Sequence, residues 1–228
     1  MKRNDFYRFS TCNLGVSGSS IDSYVNKMNS IHASYISPTI LEERQMNVTQ
    51  MDVFSRLMMD NIIFLGTGID DTVANIINAQ LLFLASKDQN SVNLYVNSPG
   101  GGVYSGLSIV DTMNYIPNKV NTLVCGLAAS MGFIISICGD YRSALKHSRF
   151  LLHQPMSGVE GQASDITIVA NEVNLSKKEL YNIVVDKTGQ PFEKVEKDGD
   201  RDFWMTAQEA KEYGAVDEIV ERKKEKIS

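Results

Sequence analysis

The most regular signal along the chain is an alternation of short apolar runs with longer stretches in which apolar residues recur at helical spacing. Residues 62–65, 92–96, 120–125 and 150–152 are rich in Val, Ile, Leu and Phe over the lengths of buried strands. Residues 71–86 and about 104–116 read as helices, and residues 131–137 continue an apolar run as a buried helix. Alternation of this kind predicts an α/β fold with a largely parallel sheet. Further on, residues 159–168 are Gly-containing and locally alternating, and Val169, Val173, Leu180, Ile183 and Val184 recur at helical spacing over residues 168–187. A long helix projecting from a globular head exposes an apolar stripe unless a partner covers it. The last helix is signalled locally, with Thr206 and Glu209 spaced as a capping box and Gly214 as the stop. At the other end, residues 51–59 have helical apolar spacing and residues 40–50 are charged and amide-rich. Residues 1–36 are polar, without a sustained period, and read as a flexible leader.

Composition narrows the class. The 228 residues are 43% hydrophobic and 21% charged, enough for a single sizeable core. A formal net charge of -5 argues against general nucleic-acid binding. Cys12, Cys125 and Cys138 are unevenly spaced, two of them in apolar segments, so neither a disulfide framework nor a zinc site is expected. No apolar run approaches the roughly 20 residues of a membrane span, and no signal-type apolar region opens the chain, which makes the cytoplasm the expected location.

Candidate chemistry centres on Gly126-Leu127-Ala128-Ala129-Ser130-Met131-Gly132. Small residues around a serine at a strand-to-helix junction permit the sharp turn of a nucleophile elbow and bring backbone N–H groups to a helix start. Simple close packing is the plainer alternative. Of the three histidines, His153 ends a strand-like run just before Pro155, whereas His147 lies in a polar stretch and His32 in the leader. An imidazole there suits proton transfer with a serine hydroxyl. A carboxylate must orient that imidazole. Asp198, Asp200 and Asp202 cluster downstream, and Asp202 ranks first because it precedes Phe203-Trp204-Met205 and is expected to be drawn toward the core. Asn97-Ser98-Pro99-Gly100-Gly101-Gly102 offers unobstructed backbone donors for an oxyanion. No phosphate-binding Gly-x-x-x-x-Gly-Lys motif occurs, and Gly66-Thr67-Gly68 lacks the third glycine of a dinucleotide fingerprint.

From residue 39 to about 220 the chain resembles the proteolytic subunits of Clp proteases. The motifs that carry the resemblance are Asn97-Ser98-Pro99-Gly100-Gly101, Ala128-Ala129-Ser130-Met131-Gly132, His153-Gln154-Pro155, Gly161-Gln162-Ala163-Ser164-Asp165-Ile166, Thr188-Gly189-Gln190 and Asp200-Arg201-Asp202 with Met205-Thr206-Ala207-Gln208-Glu209-Ala210, in that order. The resemblance implies Ser130 as nucleophile, His153 as base and Asp202 as its orienter, with the N–H groups of Gly101 and Met131 as oxyanion hole. Substrate would lie as an added strand along Gly100, Gly102, Val103, Gln154, Pro155 and Met156. The implied architecture is the crotonase-like ClpP fold of repeated β-β-α units, with a globular head and a protruding strand-helix handle at about 156–188. It also implies an axial loop and entrance helix at 37–60, a catalytic domain at 61–222, a charged tail at 223–228 and a leader self-cleaved near 33–37. Partners would be a second heptameric ring, stacked through Asp200 and Arg201, and a separate AAA+ Clp ATPase hexamer of the ClpX, ClpA or ClpC kind. That hexamer would dock at Phe83, Tyr95 and Tyr115 and deliver unfolded proteins. No metal or cofactor is called for. The chain departs from the family pattern at Asn93, at Lys146-His147, at Ser157 and in a segment 137–146 about two residues short. Two other readings stand beside this one. A non-catalytic ring subunit would lack a triad member, and a crotonase-type acyl-CoA enzyme would rely on carboxylates and a CoA site.

Overall fold

The structure, a computed structural model, describes residues 39–44 and 47–221, with side chains from Asp52 onward. The expected leader and charged tail lie outside the described residues. The chain divides into two compact units between Ser55 and Arg56. In the first, β1 (Thr39–Arg44) and β2 (Asn47–Asp52) pair antiparallel, from Thr39 opposite Asp52 to Arg44 opposite Asn47. The stretch expected as a loop is therefore a hairpin, because paired backbone groups satisfy one another whatever the polarity of the side chains. Asp52 then caps α1 (Val53–Met59), its carboxylate accepting the Ser55 N–H at 3.0 Å.

The second unit is built on a seven-stranded sheet. Strands β3 (Ile62–Leu65), β4 (Val92–Ser98), β5 (Val120–Ala129), β6 (Tyr141–Leu145) and β9 (Glu218–Val220) lie side by side in that order, all parallel. Strand β5 is long enough to serve two neighbours. Its first half, residues 121–124, pairs with β6, and its second half, residues 127–129, pairs with β7 (Arg149–Leu152). The fork falls at Gly126, whose φ of 136° is closed to most side chains. An antiparallel strand, β8 (Phe203–Thr206), completes the sheet on β7.

Helices cover the sheet because their apolar positions repeat every three to four residues. In α2 (Asp71–Lys87), capped by Asp70 on the Val73 N–H, the buried residues are Ala74, Ile77, Leu81 and Leu84. In α3 (Val103–Tyr115), Ile109, Val110 and Met113 do the same. Helix α4 (Met131–Ile137) is buried all round, as its uninterrupted apolar sequence requires. Each fully buried Val, Leu or Ile contributes about 1.5–3 kcal/mol of transfer free energy. Leu65, Leu81, Leu84, Leu94 and Ile109 are wholly buried.

The 26-residue α5 (Ala163–Thr188) has two characters. Residues 163–172 are almost entirely exposed, whereas Ser176, Leu180, Tyr181 and Val184 pack inward before Gly189 closes the helix in the left-handed conformation. Two expectations shift here. The helix starts five residues earlier than its apolar spacing suggests, and residues 153–162 carry no strand. A strand needs a ladder partner, and among the described residues none is offered to this stretch. Pro191 then leads into α6 (Phe192–Asp198), and residues 199–202 turn the chain into β8. Thr206 and Glu209 form the expected capping box at the start of α7 (Ala207–Glu212), and Gly214 takes a φ of 87° just beyond it.

Candidate active site

Two parallel strands end side by side at the site. Ala129 of β5 lies opposite Leu151 of β7, and the Ser130 N–H donates to the Leu151 carbonyl at 3.0 Å. Ser130 and His153 thus leave adjacent strand ends, and both line one narrow cavity with Val103, Met131, Ile134 and Tyr181. Ser130 has a φ of 53° and ψ of -122°, a conformation sparsely populated by residues other than glycine. Such a turn persists because its flanks are held, by the sheet on one side and by fully buried α4 on the other. The sharp elbow expected from the small residues is present. It tips the serine out of the strand while leaving the first N–H groups of α4 without helical acceptors.

The glycine loop closes against this elbow. Gly100 has a φ of 89°, and a Cβ on it would stand 2.7 Å from the Ser130 Cβ and 2.9 Å from the Met131 nitrogen. Gly101, at φ 154°, bridges to Ile69, whose N–H donates to the Gly100 carbonyl at 2.9 Å while its own carbonyl accepts the Gly102 N–H at 2.8 Å. Among the described residues the N–H groups of Gly101 and Met131 have no acceptor, so both remain available to an anion at the elbow. Ser98, fully buried at the end of β4, holds the loop in place. Its hydroxyl donates to the Thr67 carbonyl at 2.6 Å and accepts the Gly100 N–H at 3.1 Å. This role escapes sequence reading, since its partner lies 31 residues upstream.

The His153 side chain is 16% exposed, and its Nδ1 stands 3.6 Å from Oδ1 of Asp202. That is an ion-pair distance and too long for a hydrogen bond. Asp202 is brought to His153 as expected, but it is not drawn into the core: its side chain is 64% exposed. The apolar residues after it lie on β8, with Met205 buried and Trp204 half exposed, so the pull acts past the aspartate rather than on it. Asp198 accepts from Lys194 at 2.6 Å and from the Tyr213 hydroxyl at 3.1 Å. Asp200 and Arg201 are exposed, 3.8 Å apart.

Gln154 is bonded within the chain. Its N–H donates to the Gly199 carbonyl at 2.7 Å and its side-chain amide to the Asp200 carbonyl at 2.9 Å. These bonds tie the residue after His153 to the turn that carries Asp202. Gly100 and Gly102 are likewise taken up by Ile69, whereas Val103 and Pro155 line the cavity and Met156 is exposed. The cavity is only about 20 Å³, room for about one water rather than a side chain.

The residues expected for docking lie on three different elements. Phe83 on α2 and Tyr115 at the end of α3 are exposed, and Tyr95 on β4 stacks on Phe64 of β3 with centroids 6.2 Å apart. The sequence does not single out Phe64, because period-two alternation marks a strand without saying which face stays open. No group of three metal-ligating side chains occurs among the described residues, and no described helix is long and apolar enough to cross a membrane.

Comparison with known proteins agrees with this geometry. The family model for Clp protease matches residues 43–223. The ATP-dependent Clp protease proteolytic subunit of Porphyromonas gingivalis is 54% identical over 222 residues, covering 96% of this chain and 98% of that protein. The subunits of the same name from Bacteroides fragilis and Bacteroides thetaiotaomicron are each 53% identical over 223 residues, 96% of this chain and all of theirs. A match that spans the whole elbow, glycine loop and His153 strand, with more than half of all aligned positions identical, places the chain in the Clp protease family.

Proposed function

We propose that this chain is the serine endopeptidase core of an ATP-dependent Clp protease, with Ser130, His153 and Asp202 as its triad. The observation that carries the reading is the elbow itself: a strained serine at the start of a buried helix, sharing a cavity with His153 and abutted by the glycine loop. Ser130 Oγ attacks a peptide carbonyl while His153 takes its proton, and the N–H groups of Gly101 and Met131 receive the developing oxyanion. His153 then returns the proton to the leaving amine. Water repeats the sequence on the acyl-enzyme. Asp202 holds the imidazole in the required tautomer once the 3.6 Å separation closes by about 0.7 Å to hydrogen-bonding length, a tightening usual on going from free to substrate-bound sites. Peptide binding opens the cavity, with Val103, Pro155 and Met156 nearest to the incoming chain.

The relatives are named as ATP-dependent, and this chain carries no phosphate-binding motif, so unfolding falls to a separate AAA+ hexamer docking near Phe83, Tyr95 and Tyr115. The exposed outer half of α5, with Ile168 and Leu175, fits a helix covered by other subunits in two stacked heptameric rings, Asp200 and Arg201 meeting the opposite ring. The cytoplasm is the matching location. A fluorophosphonate probe tests the peptidase reading: assembled protein labels at Ser130 and cleaves short peptides, and Ser130→Ala does neither. An unlabelled wild type, or equal cleavage by Ser130→Ala, overturns it.

A further inference from the structure

One buried polar group at the site has no part in the chemistry above. Tyr181, on the inner half of α5, is 1% exposed, and among the described residues its hydroxyl has no hydrogen-bond partner. A buried donor left unpaired is disfavoured and needs a reason. The hydroxyl points to one. A Cβ on Gly199 would stand 2.7 Å from Tyr181 Oη and 3.0 Å from its ring, so the ring lies directly against the turn of residues 199–202. That turn carries Asp202 at one end, and at the other it receives both hydrogen bonds from Gln154, the neighbour of His153. Tyr181 also lines the cavity of Ser130 and His153.

The ring is itself held from several sides. Phe192 of α6 meets it edge-on at 6.3 Å, and Lys177, paired with Glu196 at 3.8 Å, stands 5.4 Å over its centroid. Burial, with smaller contributions from Asp200 and Glu196, pushes the phenol up to about 12, so it stays a neutral donor. Apart from Ser130 and His153, the rest of the cavity wall is Val103, Met131, Ile134, Leu152, Pro155 and Leu180, whose side chains carry no oxygen or nitrogen acceptor.

Granted the peptidase reading, we propose that Tyr181 is a positioning residue, its ring and hydroxyl setting where residues 199–202 stand and, through Gln154 and Asp202, how His153 is oriented. It acts on the reacting groups through these residues rather than directly. Gly199 is part of the same device, because only glycine leaves the ring room against the turn.

The test uses assembled full-length protein as wild type, Tyr181→Phe, Gly199→Ala and the double variant. It reads kcat and KM on a short fluorogenic peptide, the rate of fluorophosphonate labelling at Ser130, and the sedimentation profile. Tyr181→Phe is expected to lower kcat and labelling rate about tenfold with KM within about twofold and assembly unchanged. Gly199→Ala loses more. The double variant recovers part of that loss, because the hydroxyl that the new methyl meets first is gone. Unchanged kcat in Tyr181→Phe, a raised KM at constant kcat, or a Gly199→Ala defect that adding Tyr181→Phe fails to relieve each overturns the proposal. A wild type that neither cleaves nor labels overturns the peptidase reading instead, and the positioning role with it.

Discussion

At Ser130 the backbone sits where a serine is strained, and the strain has a use. A φ of 53° lifts the hydroxyl out of the β5 line and turns the Met131 N–H toward the glycine loop. The fit is close enough for single atoms to matter. Gly100→Ala would place a methyl 2.5 Å from the Ala129 carbonyl oxygen and 2.7 Å from the Ser130 Cβ, at a φ of 89° that alanine avoids. Peptidase activity is expected to fall at least a hundredfold, read as kcat on a fluorogenic peptide, with about 2 kcal/mol of stability lost in denaturant melts. Ser98→Ala strips the Gly100 N–H and the Thr67 carbonyl of their buried partner. It is expected to cost about 1–3 kcal/mol in the same melts. Asp202→Asn keeps the shape of the side chain but favours the wrong tautomer of His153. Its expected signature is a kcat loss of about 10²–10⁴ with KM little changed, and a variant as active as wild type would remove Asp202 from the proposed triad.

The forked strand is the element that makes the site. Because β5 pairs with β6 below Gly126 and with β7 above it, its last residues and the end of β7 run side by side, and the elbow and His153 emerge together. The far edge of the sheet is secured by Arg142 of β6. Its guanidinium forks onto Asp217 and also donates to the carbonyls of Lys187 and Gly214, so one side chain ties β6 to the end of α5 and to the approach of β9. The hydrogen bonds and charge of Arg142 hold the Asp217 carboxyl below its ordinary 3.8. A lowered folded pKa stabilises the protein above the unfolded value and is lost as pH falls through the folded one. Asp217→Asn is therefore expected to lower stability by about 1 kcal/mol near neutrality, an effect that fades below pH ~4, in thermal melts run at several pH values. The α7 capping box offers an independent check, since Thr206→Ala is expected to cost about 1 kcal/mol.

On the scale of the molecule, the exposed outer half of α5 stands out. Ile168 and Leu175 are 66% and 64% exposed, and the helix's inner half is packed through Leu180 and Val184. Substituting the outer residues leaves the core untouched. Ile168→Glu with Leu175→Glu is expected to shift the assembled protein toward smaller species in sedimentation velocity while circular dichroism stays unchanged, and peptidase activity falls with assembly. An unaltered sedimentation profile would mean that this face is not an intersubunit surface.

Much of the fold was legible because it depends on near neighbours. The Ala128-Ala129-Ser130-Met131-Gly132 turn, the Thr206–Glu209 cap, the buried α4 and the α/β class all follow from residues a few positions apart, where backbone sterics and apolar spacing suffice. The order of the motifs likewise pointed to the serine, histidine and aspartate and to the family. What the sequence left open depends on residues far apart in the chain. Gln154 bonds to a turn 46 residues away, Ser98 holds its loop through Thr67, and Tyr181 is buried against Gly199, its hydroxyl unpaired among the described residues. The same holds for Asp202, whose apolar neighbours suggested burial but whose place on an open turn leaves it exposed and 3.6 Å from His153. Local spacing selects the candidate groups, whereas their separations are set by how the strands, α5 and the 199–202 turn pack, and no single stretch of sequence contains that information.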